Sequence, residues 1–191
     1  MQRPAPAPAL IHSNFVRILP AQDPGPEIDY EFYESPFGQI CIASDSQGVT
    51  KLDFVETEAA GLALLKKHFT PTKLTRRKTE FHAKALGLSG PSPSEITLHI
   101  QATEFQLQVW NALLTIPKGQ LSTYQKIAEK IGNPSASRAV GSAVGANPVG
   151  YIIPCHRVVR NDGTFGDFLW GREMKVTLLN WEAGFLNPKL L

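Results

Sequence analysis

The apolar pattern of this 191-residue chain changes period once along its length. Up to about residue 56 apolar side chains alternate with polar ones. From residue 103 onward they recur three and four positions apart, so strands are expected first and amphipathic helices second. The runs IDYEFYESP, GQICIASDS and GVTKLDFVE are rich in β-branched and aromatic residues. Turn signals at Ser35-Pro36-Phe37-Gly38 and Ser44-Asp45-Ser46-Gln47-Gly48 separate them, which predicts a small antiparallel meander. EAAGLALLKKHF, residues 58–69, has helical spacing and is expected to cover one face of that sheet. Residues 70–95 yield only a weak helical stretch around FHAKALGL. Six of the fifteen prolines fall within residues 1–27, which show no sustained period; an extended or disordered lead-in is expected there, with structure starting near Ile28.

In the second half, Thr103 and Gln106 form a capping-box pattern, and Phe105, Val109, Ala112, Leu113 and Ile116 trace one helical face ending near Pro117-Lys118-Gly119. Ser122 with Gln125 predicts a short helix over 123–131, stopped by Gly132-Asn133-Pro134, and Ser135 is expected to cap a third running to about Ala146. Two short helices across a tight turn make a helix-turn-helix candidate, an arrangement also common in proteins that bind no DNA. In the third helix Ala136, Ala139, Val140, Ala143 and Val144 form the expected buried stripe. The other side carries Ser137, Arg138, Gly141, Ser142 and Gly145, nearly bare, which suits close approach to a nucleic-acid groove or to another helix. These elements give an α+β class with three parts: a tail over 1–27, an N-terminal domain over 28–95 and a helical domain over 96–191.

Composition bounds the function. No run of about 18 apolar residues occurs and the first residues, MQRPAPAPAL, lack a secretory pattern, so a cytoplasmic protein without a membrane span is expected. Two cysteines and five scattered histidines give no metal-ligand spacing, hence no expected metal or cofactor. The net charge of +2 conceals a cluster: between 116 and 160, Lys118, Lys126, Lys130, Arg138, Arg157 and Arg160 face only Glu129. Such a cluster is either a footprint for a polyanion or a solvated face.

Cys155 follows an apolar run and precedes His156 and Arg157. A free cysteine commonly serves as a small buried hydrophobe, whereas Pro154 and the basic neighbours suit a reactive thiol. The segment Pro154-Cys155-His156-Arg157-Val158-Val159 resembles the acceptor-cysteine signature of the O6-alkylguanine-DNA alkyltransferases. The resemblance extends through Thr103 to Trp110, Ile116-Pro117-Lys118-Gly119, Ser122-Thr123-Tyr124, Arg138-Ala139-Val140-Gly141, Ala146-Asn147-Pro148 and Leu178 to Gly184, about eighty residues in collinear order. Leu169-Trp170-Gly171 is most similar to the C-terminal half of bacterial adaptive-response members.

The resemblance implies a ribonuclease H-like N-terminal domain and a winged-helix-like DNA-binding domain in a monomer that acts on double-stranded DNA bearing O6-alkylguanine. Cys155 would accept the alkyl group, His156 would deprotonate it through a water, Glu182 would orient His156, and Asn147 would brace the turn. Tyr124, Val158, Val159, Phe168, Leu169 and Lys175 would form the base pocket, with the Val158 carbonyl reading the guanine amino group. Arg138 would fill the space of the extruded nucleotide, and Ser137, Gly141, Ser142, Lys118, Lys126 and Arg160 would contact DNA. Where many relatives have an aromatic hydroxyl followed by Ser or Arg, this chain has Phe168 and Leu169. Two cysteines cannot supply the zinc-bound Cys₄ sensor of the adaptive-response regulators, and the same count excludes the zinc of some animal relatives. Two other readings, a non-catalytic lesion-recognition relative and a plain helix-turn-helix module, differ at the cysteine; the non-catalytic relatives usually have tryptophan there, and Cys155 is intact.

Overall fold

The computed structural model describes residues 16–23, 25–89 and 95–184. Six strands form one sheet in the order β1-β6-β4-β3-β2-β5, with β1 Val16–Ala21, β2 Glu27–Ser35, β3 Gly38–Ser44, β4 Val49–Phe54, β5 Lys73–Arg76 and β6 Ile96–Gln101. The expected meander is its centre, β2-β3-β4, with antiparallel register Phe32↔Cys41 and Ile42↔Leu52. The sheet as a whole is mixed, because β1, β5 and β6 join in parallel.

Three expectations need correction. Regular structure begins at Val16 inside the segment expected to be a lead-in; β1 is an edge strand, where Pro20 is tolerated because its missing N–H can face outward. The first fifteen residues lie outside the described ones. Strand β6 lies between β1 and β4, so a boundary at 95/96 would cut the sheet, whose last strand ends at Gln101. The helical half also carries a short parallel pair, β7 Ser122–Thr123 with β8 Val158–Val159.

The period-2 geometry of β3 sends its side chains to two cores. Cys41 and Ala43 pack with Ile28, Leu65 and Phe69 beneath α1 Glu58–His68, which Thr57 caps by accepting from the Ala60 N–H at 3.1 Å. Ile40 and Ile42 face a larger core shared with α2 Glu80–Ala85 and the helical half, including Leu52, Leu98, Val109, Trp110, Leu113, Val140, Ile153 and Leu178. One continuous apolar core therefore joins the two halves.

Helix α3 Glu104–Leu114 has the expected capping box at Thr103 and Gln106. Helix α4 Tyr124–Lys130 starts one residue later than the Ser122 pattern suggested, because Thr123 caps it and Ser122 sits in β7. Ser135 does not cap α5 Ser137–Gly145; a 3-10 turn over Pro134–Ala136 leads in, and Ser135 Oγ bonds Asn133 instead. Ala139, expected in the buried stripe, is exposed, and Val140, Ala143 and Val144 carry the packing. Trp110 Nε1 donates to the Ala143 carbonyl at 2.8 Å, pinning α5 to α3. Helix α6 Arg172–Glu182 closes the described chain.

Candidate active site

Every residue from 147 to 159 is buried, although only short pieces of regular structure occur in that stretch. Its main chain is tied to the sheet: beyond Val49, β4 has no further register with β6, and Leu52 instead bridges Val149. The Leu52 N–H donates to the Pro148 carbonyl at 3.0 Å and the Gly150 N–H to the Leu52 carbonyl at 2.9 Å. At Gly150 a Cβ would fall 2.7 Å from the Trp170 ring, so the indole can close over this backbone only because a hydrogen stands there. Trp170 Nε1 donates to Asp53 Oδ1 at 3.1 Å, and Asp53 pairs with Lys51. Tyr151 follows at φ 66°, a left-handed conformation that costs a bulky L-residue about 1–3 kcal/mol.

Asn147 organises the turn with both ends of its amide. Its Nδ2 donates to the Ile153 carbonyl and to Cys155 Sγ, each at 3.0 Å, and its Oδ1 accepts from the Val149 N–H at 2.9 Å. Cys155 opens a 3-10 turn over Cys155–Arg157. Burial pushes its thiol up to about 11, while the Asn147 amide, the Lys175 charge and the N–H groups of Cys155 and His156 pull the other way. At neutral pH the sulfur therefore holds its proton, and attack requires a base that removes it.

His156 and Arg157 converge on one fully buried carboxylate. Glu182 accepts from His156 Nε2 at 2.8 Å and from Arg157 Nε and Nη2 at 2.9 Å each. Arg157 Nη1 also donates to the Ile116 carbonyl, fastening the turn after α3. Burial pulls the His156 pKa below its usual value more than Glu182 restores it, which leaves a neutral ring. With Nε2–H assigned as the donor to the carboxylate, the basic lone pair falls on Nδ1. Arg157, counted with the basic cluster from sequence, is buried and neutralised by Glu182, so it belongs to the framework and not to a surface for polyanions.

The remaining expected pocket residues surround this turn. Pairing of Ser122 with Val158 and Thr123 with Val159 sets the start of α4 beside the Cys155 segment. Tyr124 consequently reaches Gly166, where an added Cβ would collide with its hydroxyl. Lys175 Nζ donates to the Val158 carbonyl at 2.7 Å and lies 5.9 Å from the Phe168 ring centroid; burial lowers its pKa. Tyr124 and Lys175 both lie within electrostatic reach of Cys155. A cavity of about 380 Å³ is lined by Tyr124, Gly141, Arg160, Asp167, Phe168 and Leu169, the last with 59% of its surface exposed. A larger groove of about 1060 Å³ between the sheet and α6 shares only Leu169 with it; the smaller cavity is the candidate site because its walls include Tyr124, which lies within electrostatic reach of Cys155, and Phe168, which stands beside Lys175.

On the outer face Arg138, Ser142, Lys126, Lys130 and Arg160 are exposed. Ser137 is half-buried and donates to Gln125 Oε1 at 2.5 Å, and a Cβ added at Gly141 would lie 3.8 Å from the Tyr124 ring. Lys118 lies over Trp181, 4.0 Å from the ring centroid. Sequence reasoning did not single out Tyr151, Asp53 or the structural role of Arg157, since neither a left-handed backbone nor a pairing across 25 residues leaves a local pattern. Among the described residues no group of three His, Cys, Asp or Glu side chains could hold a metal ion, and no helix is long and apolar enough to cross a membrane.

Two family models match: "6-O-methylguanine DNA methyltransferase, ribonuclease-like domain" over residues 28–83 and "6-O-methylguanine DNA methyltransferase, DNA binding domain" over 104–184. A methylated-DNA–protein-cysteine methyltransferase of Methanosarcina acetivorans is 37% identical over 159 residues, covering 81% of this chain and 97% of the relative. The enzyme of that name from Haemophilus influenzae is 39% identical over 153 residues, covering 80% and 85%. The bifunctional transcriptional activator/DNA repair enzyme Ada of Escherichia coli is 36% identical over 161 residues, 82% of this chain but only 46% of Ada. Among solved structures, Mycobacterium tuberculosis OGT in complex with DNA superposes with a TM-score of 0.65 at 30% identity, covering 86% of this chain and 97% of the other. With its buried Cys155 turn, its buried His–Glu–Arg cluster and relatives matched over nearly their whole length, the chain belongs to the methylated-DNA–protein-cysteine methyltransferase family.

Proposed function

We propose that this protein repairs DNA by moving an alkyl group, methyl foremost, from guanine O6 to Cys155 in one irreversible turnover. The observation that carries the reading is the Asn147 amide on Cys155 Sγ at 3.0 Å, in the same buried turn that presents His156 to Glu182. His156 takes the thiol proton through one water, Glu182 steadies the imidazolium that forms, and the sulfur attacks the alkyl carbon in line. The carbon–oxygen bond breaks as the carbon–sulfur bond forms. Guanine leaves with a hydrogen bond from the Tyr124 hydroxyl and takes up a proton. A thioether does not hydrolyse readily, so Cys155 is consumed and no cofactor is required.

Guanine O6 lies inside the stacked duplex, and a thiol buried this deeply can meet it only if the nucleotide is extruded, at a cost of about a few kcal/mol. The exposed α5 face, with Ser142 and Gly145, suits close approach in the minor groove, and the exposed Arg138 would occupy the vacated space. Lys118, Lys126, Lys130 and Arg160 would engage phosphates without reading sequence. In this reading residues 103–184 form a winged-helix-like acceptor module, the sheet is a ribonuclease H-like brace, and the protein works as a monomer in the cytoplasm.

The test is mass spectrometry after incubation with a duplex containing O6-methylguanine, and in parallel one containing O4-methylthymine. One methyl on the peptide containing Cys155 is expected from the guanine substrate. An unmodified protein, or a methyl on Cys41, would overturn the assignment.

A further inference from the structure

The geometry points to Tyr151 as a positioning residue for His156, one that fixes the imidazole plane by stacking on its face and excludes water from it. This rests on the reading of His156 as the base for Cys155. The two rings are parallel to within 3°, with centroids 5.8 Å apart, an offset stack in the range aromatic pairs prefer. Glu182 accepts from His156 Nε2 at one edge of the ring, and Tyr151 lies on its face, so the two contacts constrain the imidazole in different directions.

Tyr151 is itself fixed. It is fully buried, and its left-handed backbone persists because the Gly150 N–H bonds Leu52 on one side and the 3-10 turn follows on the other. Phe37, 6.0 Å away, and Trp181, also at 6.0 Å, back its ring. An aromatic wall thus runs from the N-terminal sheet to the imidazole. The charged and titratable groups facing His156 are Glu182 and Lys175 from α6 and Arg157 and Cys155 from its own turn; Lys118 sits farther out, over Trp181. Glu182 raises the ring's proton affinity, Arg157 and Lys175 lower it, and exclusion of water lowers it most.

Single-turnover methyl transfer followed against pH tests this. Tyr151→Leu keeps an apolar side chain but removes the stacking ring. Its rate is expected to fall about tenfold, a fraction of what a general base contributes. The acidic limb of its profile should move upward, because a hydrated imidazole recovers toward the usual histidine range. Tyr151→Phe, which restores the ring, should return the rate to within about threefold, with the limb at the wild-type position. A slower Tyr151→Leu with an unmoved limb, or a Tyr151→Phe no better than it, would overturn the inference. If Tyr151→Leu does not fold, the wild-type protein still decides: stacked His156 carbon-bound protons should resonate upfield of those of an exposed histidine, and ordinary shifts exclude the stack. His156→Ala separates the two claims. Full activity there removes the base reading, while the His156 signals of the wild-type protein still report on the stack.

Discussion

The two buried cysteines lie in contrasting surroundings. Cys41 sits on β3 under α1 among Ile28, Ala43, Leu65 and Phe69, and burial together with Asp53 pushes its thiol up to about 12. Cys155 is as deeply buried and stands at about 11, yet an amide, an ammonium group and two backbone N–H groups all favour its thiolate. Burial alone therefore does not mark a structural cysteine. The difference is in the polar groups aimed at sulfur, and at Cys155 they are assembled by residues 8 and 20 positions away, Asn147 and Lys175.

The largest effect expected is the most direct break of this comparison. Cys155→Ala should abolish methyl transfer while duplex binding persists, and Cys41→Ala should leave transfer intact, both read by mass spectrometry. Transfer surviving in Cys155→Ala would make the two thiols equivalent.

Next comes the carboxylate that serves the reactive side only. Glu182→Gln should slow transfer by about a hundredfold, in the range of lost general-base assistance. It should also destabilise the fold by about 3–5 kcal/mol, because Arg157 is left buried without its charge partner. Denaturant melts check the second figure, and a loss below about 1 kcal/mol would mean the cluster is well solvated.

The histidines extend the comparison to the non-reactive side. His82, buried beside Ser44 and Thr79 under the sheet, is pushed down to about 4 by burial. It stays neutral in the native state while the unfolded chain takes up a proton near 6.5. Stability is thus full above about 6.5 and declines as pH falls toward 4, by about 3 kcal/mol in total. His156 acts in the same direction. Urea melts of His82→Gln should show a flatter dependence between pH 6.5 and 4; an unchanged slope would assign the acid sensitivity elsewhere.

The smallest effect should separate surface from pocket. Arg138→Ala is expected to slow repair in duplex about tenfold and reaction with free benzylguanine less than twofold, since the free base needs no extrusion. Equal losses would place Arg138 in the pocket or the fold.

Much of this was legible where local chemistry decides structure. The β2-β3-β4 meander, α1 and the Thr103 capping box follow from alternation, turn residues and caps. Where neighbours distant in sequence decide, the reading failed. β1 and β5 are short edge strands with little pattern of their own, and β6 takes its place only through the parallel partners β1 and β4. At the site, the proximity of Cys155 and His156 is local, but the convergence of Arg157, Glu182 and Ile116 is a property of the closed fold. The left-handed backbone of Tyr151 has no sequence signal, because nothing about tyrosine favours it.

The main-chain bridge between Leu52 and Val149 bears on what kind of catalyst this fold can be. With its main chain bonded to an interior strand, the Cys155 segment opens only when the sheet itself lets go, and the Leu52 and Gly150 amides should exchange with solvent among the slowest in the protein. A recycling enzyme would be throttled by such a clamp, since each cycle ends with product release. A protein that reacts once has no such step, and permanent closure around its sulfur costs it nothing in rate.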